Sequence, residues 1–159
     1  STVSFTLLIT AGSPTTQQEA ELIKDQVKDA GIVVNLQPLD FPTLNAMTIK
    51  HQYEAALAGW SGRLDPDGNT YAQLHTNGGF NYGLYSNPDM DKALDGGRTT
   101  FDQAQRKTFY QQVNKIAAED APYIWLDFGV TGQYATAKVK NFTPISDQIY
   151  RFYNVWKQA

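Results

Sequence analysis

The densest group of chemically capable side chains lies in one short stretch, Ala58-Gly59-Trp60-Ser61-Gly62-Arg63-Leu64-Asp65-Pro66-Asp67-Gly68-Asn69. Asp65 and Asp67 suggest a carboxylate pair, as a small secreted hydrolase would use. Such a pair must face each other about 5–10 Å apart across a bond, which neighbours in one turn rarely do. Asp65, Asp67 and Asn69 also have the i, i+2, i+4 spacing of a calcium loop. There the pattern fails, because Pro66 and Gly68 occupy the wrong places and Thr76 stands where the closing glutamate belongs. Ser61, in Gly-Trp-Ser-Gly, falls one residue short of a nucleophile elbow, since Arg63 replaces the final glycine. His51 and His75 have no companion at ligand spacing and read as surface or capping residues. These residues do not assemble an enzyme, and no cofactor or metal is expected.

What remains is a binding inventory. Trp60 offers a flat stacking face and one N–H donor. Ser61 and the backbone amides beside Gly59 and Gly62 offer small polar contacts, and Arg63 offers a planar fork suited to a carboxylate. Further on, Asn81, Tyr82 and Tyr85 could add amide and phenol contacts. The plainer alternatives remain open at this point: Tyr82 and Tyr85 as core or rim rings, Arg63 as the partner of Asp65 or Asp67, and Asp65-Pro66 as a helix start.

The elements that must position these groups follow from pattern. Val3–Thr10 is a β-rich apolar run, of the kind covered on both faces. A turn at Ser13-Pro14 leads into a helix, with Thr16 and Glu19 as its capping box and Ala20, Ile23, Val27 and Ala30 on its inner face. Gly31 closes it, and Ile32, Val34 and Leu36 alternate with polar positions as a second strand. Strand, helix and strand with short links predict a right-handed parallel unit. Asp40 opens a short helix carrying Leu44 and Met47 inward, and residues 53–58 form a third strand that delivers Trp60. In open α/β sheets the loops at strand C-terminal ends are where ligands sit. Residues 69–75 predict a helical turn or two, and residues 76–83 a glycine- and asparagine-rich loop of the length that is more often functional than idle.

Asn87-Pro88 predicts a helix start and Gly96-Gly97 its end. The longest helix is expected over residues 100–119, capped by Thr100 with Gln103, faced inward by Phe109, Val113, Ile116 and Ala117, and stopped at Ala121-Pro122. Two strands are expected over 123–128 and 130–137 with a bend at Gly129, then an extended aromatic tail over 141–159.

With 42% hydrophobic and 18% charged residues, the 159-residue chain is composed like a globular domain, and length alone suggests one. A net charge of -3 and the absence of any Lys/Arg cluster argue against nucleic acid or an anionic membrane surface as partner. There is no cysteine, which removes disulfides and thiolate metal sites. The start without Met, directly in a strand-like run, suggests a piece of something longer.

The order of these segments resembles the extracytoplasmic solute-binding proteins of ABC importers, in the oligopeptide, dipeptide and nickel group (family 5). Four stretches carry the likeness: DAGIVVNLQPLDF, AGWSGRLDPDGN, NYGLYSNPDMDKAL, and RKTFYQQVNKIAAEDAPYIWL. The resemblance covers almost the whole chain and implies an α/β periplasmic-binding-protein-like lobe, an open, mostly parallel sheet with helices packed on it. It implies that residues 1–140 form the second lobe of a two-lobed protein, with hinge strands near 3–10 and 123–137, and that residues 141–159 pack on the missing first lobe. The implied function is non-catalytic capture of a solute by hinge closure outside the cytoplasm, for delivery to a membrane permease. The Trp loop contributes its Trp and the next residues to the ligand site, which here are Trp60, Ser61, Gly62 and Arg63. Peptide-binding members carry an acid three residues after that Trp, where it pairs with the ligand's ammonium. Arg63 in its place implies a carboxylate-bearing or otherwise anionic solute. Without its first lobe the tail would leave apolar surface exposed or drive self-association. A hydrolase using Asp65 and Asp67, and a protein-interaction module built on the loop aromatics, stand as the rival functions.

Overall fold

The computed structural model describes residues 3–129, 132–145 and 149–158. The chain divides into two compact units, Ser1–Trp60 and Ser61–Ala159.

In the first unit, β1 (Val3–Thr10), α1 (Pro14–Lys28), β2 (Ile32–Leu39), α2 (Phe41–Ile49) and β3 (Ala55–Ala56) follow in order. The strands form a parallel sheet ordered β2-β1-β3, with β1 and β2 in register from Val3↔Ile32 to Thr10↔Leu39. The expected strand–helix–strand unit is therefore present. Leu7, Ile9, Ala20 and Val34 form its core, flanked by Phe5, Val27, Ile32, Leu36, Ala55 and Leu57. Leu8, which points to the other face of β1 by the strand's alternation, is equally buried, and α2 packs against β1.

Local chemistry sets the boundaries. Ser13, rather than Thr16, caps α1: its hydroxyl accepts the Thr16 N–H, and Pro14 takes the first helical position. Gly31 at φ +78° turns the chain out of the helix, a conformation that costs glycine nothing. Asp40 caps α2 as expected, accepting from Thr43 N–H at 2.9 Å. The third strand is shorter than the predicted 53–58. The Glu54 carboxylate, and not a strand carbonyl, takes the Thr6 N–H at 2.7 Å, so ladder pairing begins only at Ala55.

The second unit holds α3 (Pro66–Leu74), α4 (Pro88–Thr99), α5 (Gln103–Asp120) and an antiparallel pair of short strands, β4 (Val139–Lys140) and β5 (Trp156–Lys157). Leu74, Met90, Ala93, Leu94, Tyr110 and Val113 make its core. Asn87 caps α4 with Pro88 behind it, as predicted. Gly96 and Gly97 do not end that helix. They lie in its last turns because α5 presses rings onto them: a Cβ on Gly96 would sit 2.6 Å from Phe109 Cζ, and one on Gly97 2.9 Å from Tyr110 Cζ. The glycines serve close helix approach, and the sequence pattern reads the same as a stop. Asp102, rather than Thr100, caps α5 by accepting from Gln105 N–H. Ala121 ends it in the left-handed region at φ 45°, ahead of Pro122.

The strands predicted over 123–128 and 130–137 are absent among the described residues; Val130 and Thr131 lie outside them. A strand needs a hydrogen-bonded neighbour, and residues 123–129 and 132–137 pair with none of the described strands. Tyr123 packs on the helical core, but Ile124, Trp125, Leu126, Phe128 and Tyr134 are exposed, Phe128 at 90%. In the tail, Phe142, Tyr150 and Phe152 stack with centroids 6.0–6.5 Å apart, and the segment returns to pair β5 with β4. Residues 146–148 and 159 of the tail lie outside the described residues.

Gly97→Ala should destabilise the second unit by about 1–3 kcal/mol through overpacking against Tyr110. Ser13→Ala should cost the first unit about 1 kcal/mol through a lost cap. Chemical denaturation of both variants checks this; a Gly97→Ala protein as stable as the parent would refute the close-approach reading.

Candidate ligand site

Trp60 closes the first unit, 39% exposed, just beyond the Leu57 N–H that donates to Leu8 O at 2.9 Å. Ser61, Gly62 and Arg63 open the second unit and run into α3. The Arg63 guanidinium folds back over its own loop: Nη1 donates to Ser61 O at 2.5 Å and to Ser61 Oγ at 2.7 Å. The structure therefore unites Ser61 and Arg63 and sets aside pairing of Arg63 with Asp65 or Asp67 as the main tie, because both carboxylates belong to other arginines.

Asp65 is the N-cap of α3, accepting the Asp67 N–H at 2.8 Å, which is the helix-start reading of Asp65-Pro66. Arg106 of α5 grips the same carboxylate with both terminal nitrogens, at 2.6 and 2.9 Å, while its Nε donates to Gly97 O at the end of α4. Arg98 of α4 grips Asp67 through Nε and Nη2 at 2.9 and 2.8 Å, and lies over the Tyr71 ring with Cζ 3.3 Å from the centroid. A paired-carboxylate hydrolase would need one of these groups as base or nucleophile. Each is instead the acceptor of a fixed guanidinium fork, and the Arg106 fork holds the Asp65 carboxyl below its ordinary value. The Asp65/Asp67 hydrolase is thereby corrected to a structural pair of anchors.

The residues of the glycine-rich loop fall into place around Asn81, which is only 6% exposed. Its Nδ2 donates to Tyr85 O at 2.7 Å and to His75 O at 3.1 Å, and its Oδ1 accepts the Tyr85 N–H at 2.9 Å. Asn81 thus ties both ends of the loop together. Gly78 lets the loop lie on α3, since a Cβ there would meet Ala72 O and Tyr71 O. Tyr82 meets Phe80 edge-to-face at 6.0 Å. Tyr85 packs on the helical core, and its phenol donates to Asp120 at 2.5 Å, with Asn87 Nδ2 donating to the same oxygen at 2.7 Å. Burial first, and then the Asp120 bond, push the Tyr85 phenol up to about 12.

Several residues that hold the site in place have no sequence signal. Arg98 and Arg106 act across 31 and 41 residues, beyond any helical period. Asn69, whose spacing matches a calcium loop, instead bonds the Arg63 backbone through its carboxamide. His75, expected as a surface or capping residue, is the C-cap of α3; it stacks on Tyr71 at 4.4 Å and lies near Asp91 and Asp95. Among the described residues no group of three or more His, Asp or Glu side chains is placed to hold a metal ion, and no helix is long and apolar enough to cross a membrane.

An α/β unit leading into a Trp loop, followed by a helical unit, defines a class. The chain aligns with the solved oligopeptide-binding protein AppA of Bacillus subtilis in complex with a nonapeptide, at TM-score 0.80 and 25% identity, over 98% of this chain and 32% of that one. NikA of Staphylococcus aureus, solved with Ni(L-His)2, shares the fold at TM-score 0.73 over 93% of this chain and 32% of that one. The class is the periplasmic-binding-protein fold. Residues 2–82 match the profile of the bacterial extracellular solute-binding proteins, family 5 (middle), and the chain belongs to that family. Among curated relatives it is 32% identical over 154 residues to the "Probable D,D-dipeptide-binding periplasmic protein DdpA" of Escherichia coli (strain K12), covering 92% of this chain and 30% of that protein. It is also 30% identical over 128 residues to the oligopeptide-binding protein AppA of Bacillus subtilis (strain 168), covering 77% of this chain and 23% of that one. The chain thus spans less than a third of the length of these relatives.

Removing the Asn81 carboxamide strands buried backbone groups of Tyr85. Asn81→Ala should cost about 2–4 kcal/mol, and Asn81→Asp, which keeps the volume but not the donors, nearly as much. Denaturant melts check this; a loss within error of zero would mean that the loop does not depend on that side chain.

Asp65 and Asp120 are both held below 3.8, Asp65 chiefly by Arg106 and Asp120 by Tyr85 and then Asn87. Depressed carboxyls support the fold above the unfolded value and lose that support as pH falls through the folded one, so Tm should drop from about pH 4 toward 2. Asp65→Asn should lower Tm by about 2–4 °C at neutral pH, a gap that closes in acid. Tyr85 behaves oppositely, supporting the fold below about 10 and withdrawing that support as pH rises through about 12. Melts of the parent and Asp65→Asn across pH check the sign; a gap that widens in acid would overturn it.

Proposed function

We propose that this chain is most of the second lobe of a two-lobed solute-binding protein that captures an anionic or carboxylate-bearing solute, such as a modified peptide or sugar conjugate, for an ABC importer. The observation that carries the reading is the family match over residues 2–82, which takes in both the Trp loop and Asn81. In this reading residues 1–140 form the lobe and its hinge segments, and residues 141–159 pack on the first lobe. The protein works outside the cytoplasm, and the membrane permease recognises its closed form. Binding favours closure only by the solute's differential affinity for the closed state. The exposed apolar side chains of residues 124–128, Ile124, Trp125, Leu126 and Phe128 among them, find their cover in the first lobe.

Trp60 supplies a stacking face, Ser61 and Gly62 supply small polar contacts, and Arg63 supplies charge. Tyr82 and Tyr85 are further candidate contacts on the glycine-rich loop, and Asn81 contributes by shaping that loop. The activity is non-catalytic, a reading supported by the commitment of Asp65 and Asp67 to arginines. A guanidinium three residues after the Trp repels an ammonium and attracts a carboxylate.

Titration calorimetry on the full-length protein tests this with two probes, N-acetyl-trialanine (a carboxylate and no ammonium) and trialanine amide (an ammonium and no carboxylate). The acetylated probe should bind about tenfold or more tightly, and Arg63→Asp should reverse the order. Preference of the parent protein for the amide would defeat the anion reading.

A further inference from the structure

Asn69 holds the peptide units around Arg63 from both sides. Its Oδ1 accepts the Arg63 N–H at 2.6 Å, and its Nδ2 donates to Arg63 O at 2.7 Å and to Asp65 O at 3.2 Å. A primary carboxamide presents acceptor and donors in one rigid plane, so a single side chain here does what a neighbouring strand does for a residue in a sheet. The preceding residue is fitted to the same purpose. A Cβ on Gly68 would lie 3.0 Å from Arg63 Cβ and 3.1 Å from its Cγ, so glycine at that position leaves the space through which the arginine stem passes. Gly68 and Asn69 together form a cradle, the one clearing the stem and the other fixing the backbone.

The cradle is itself immobilised. Both residues belong to the first turn of α3, whose cap Asp65 is gripped by Arg106 and whose Asp67 is gripped by Arg98. A chain of bonds therefore runs from α4 and α5 through α3 to the main chain of Arg63. From there the guanidinium folds back to Ser61, where Nη1 is held. A long, rotamer-rich side chain loses affinity for any ligand by the freedom it gives up on binding, and a main chain fixed beforehand reduces that loss.

We propose that Asn69 is the positioning residue for Arg63, the group that sets where its guanidinium meets the solute and so fixes the selectivity of the site, with Gly68 as its required neighbour. The proposal rests on the reading of Arg63 as the anion contact. Asn69 touches no solute itself; it acts through the arginine.

Amide hydrogen exchange resolved at Arg63, and titration with N-acetyl-trialanine, test this on the full-length protein and its Asn69→Ala, Arg63→Ala and doubly substituted forms. Asn69→Ala should speed exchange of the Arg63 amide about tenfold, leave the amides of residues 71–74 unchanged, and weaken the probe about tenfold. In the Arg63→Ala background it should weaken the probe no further. Asn69→Asp, which retains the acceptor, should keep the Arg63 amide near its parental exchange rate. If Asn69→Ala does not fold, Gly68→Ala carries the same test from the other side of the cradle, again with no added loss once Arg63 is gone. Unchanged exchange and affinity in Asn69→Ala, alongside weaker binding in Arg63→Ala, would overturn the positioning role and leave the anion reading standing. Equal losses with and without Arg63 would also overturn it, because Asn69 would then act on the fold. Unchanged affinity in Arg63→Ala would overturn both.

Discussion

Two guanidinium–carboxylate forks fix the start of α3, and the second unit's polar architecture is arranged around them. Single ion pairs at a protein surface contribute little, because two long side chains must be ordered and water screens them. These differ in being bidentate, in sharing neighbours, and in stacking one arginine on Tyr71 and the other near Tyr110. Their main effect is geometric. Arg106 joins the cap of α3 to the end of α4 and to its own helix, so three helices meet at one planar group. Both carboxylates are committed to these forks, and the same bonds hold the shape of the loop.

The sheet of the first unit decides where the chain enters the Trp loop. In the first unit β1 lies between two parallel neighbours, and the chain leaves β3 toward Trp60 at the strand's C-terminal end. Parallel sheets collect ligand-facing loops at that end, because every crossover returns to the opposite one. In the second unit the chain continues into a loop whose shape is held from its own backbone, with Arg63 N–H and O both bonded to the Asn69 carboxamide.

Where a local rule had no competitor, the sequence was readable. The parallel unit followed from alternation in β2, the glycine after α1 and the short links, and Asn87-Pro88 marked α4 correctly. Local rules failed where a distant partner decided. Gly96-Gly97 looks like a helix stop until the Phe109 and Tyr110 rings are seen against it. Thr16 and Thr100 match the Ser/Thr-led capping box and Ser13 and Asp102 do not, yet the backbone starts its helices after the latter pair. Residues 123–137 have the composition of strands, yet composition describes a surface to be covered and supplies no neighbour to pair with. In the candidate site, residue types pointed to Trp60 and Arg63, but Arg98, Arg106 and Asn69 act through contacts between helices and loops that no period encodes. Asn81 was singled out as a contact, and its buried carboxamide turns out to be occupied in closing its own loop.

The glycine-rich loop combines one position that admits no change with others that are open. At Gly78 any side chain would strike the carbonyls of α3, whereas Gly79 and Gly83 have nothing within 4 Å of where a Cβ would go. With Asn81 clamping the ends, the loop is a rigid frame with vacant mounting points. Evolution, or a combinatorial library, could graft new side chains at Gly79 and Gly83 and change the loop's surface while the scaffold beneath stays as it is.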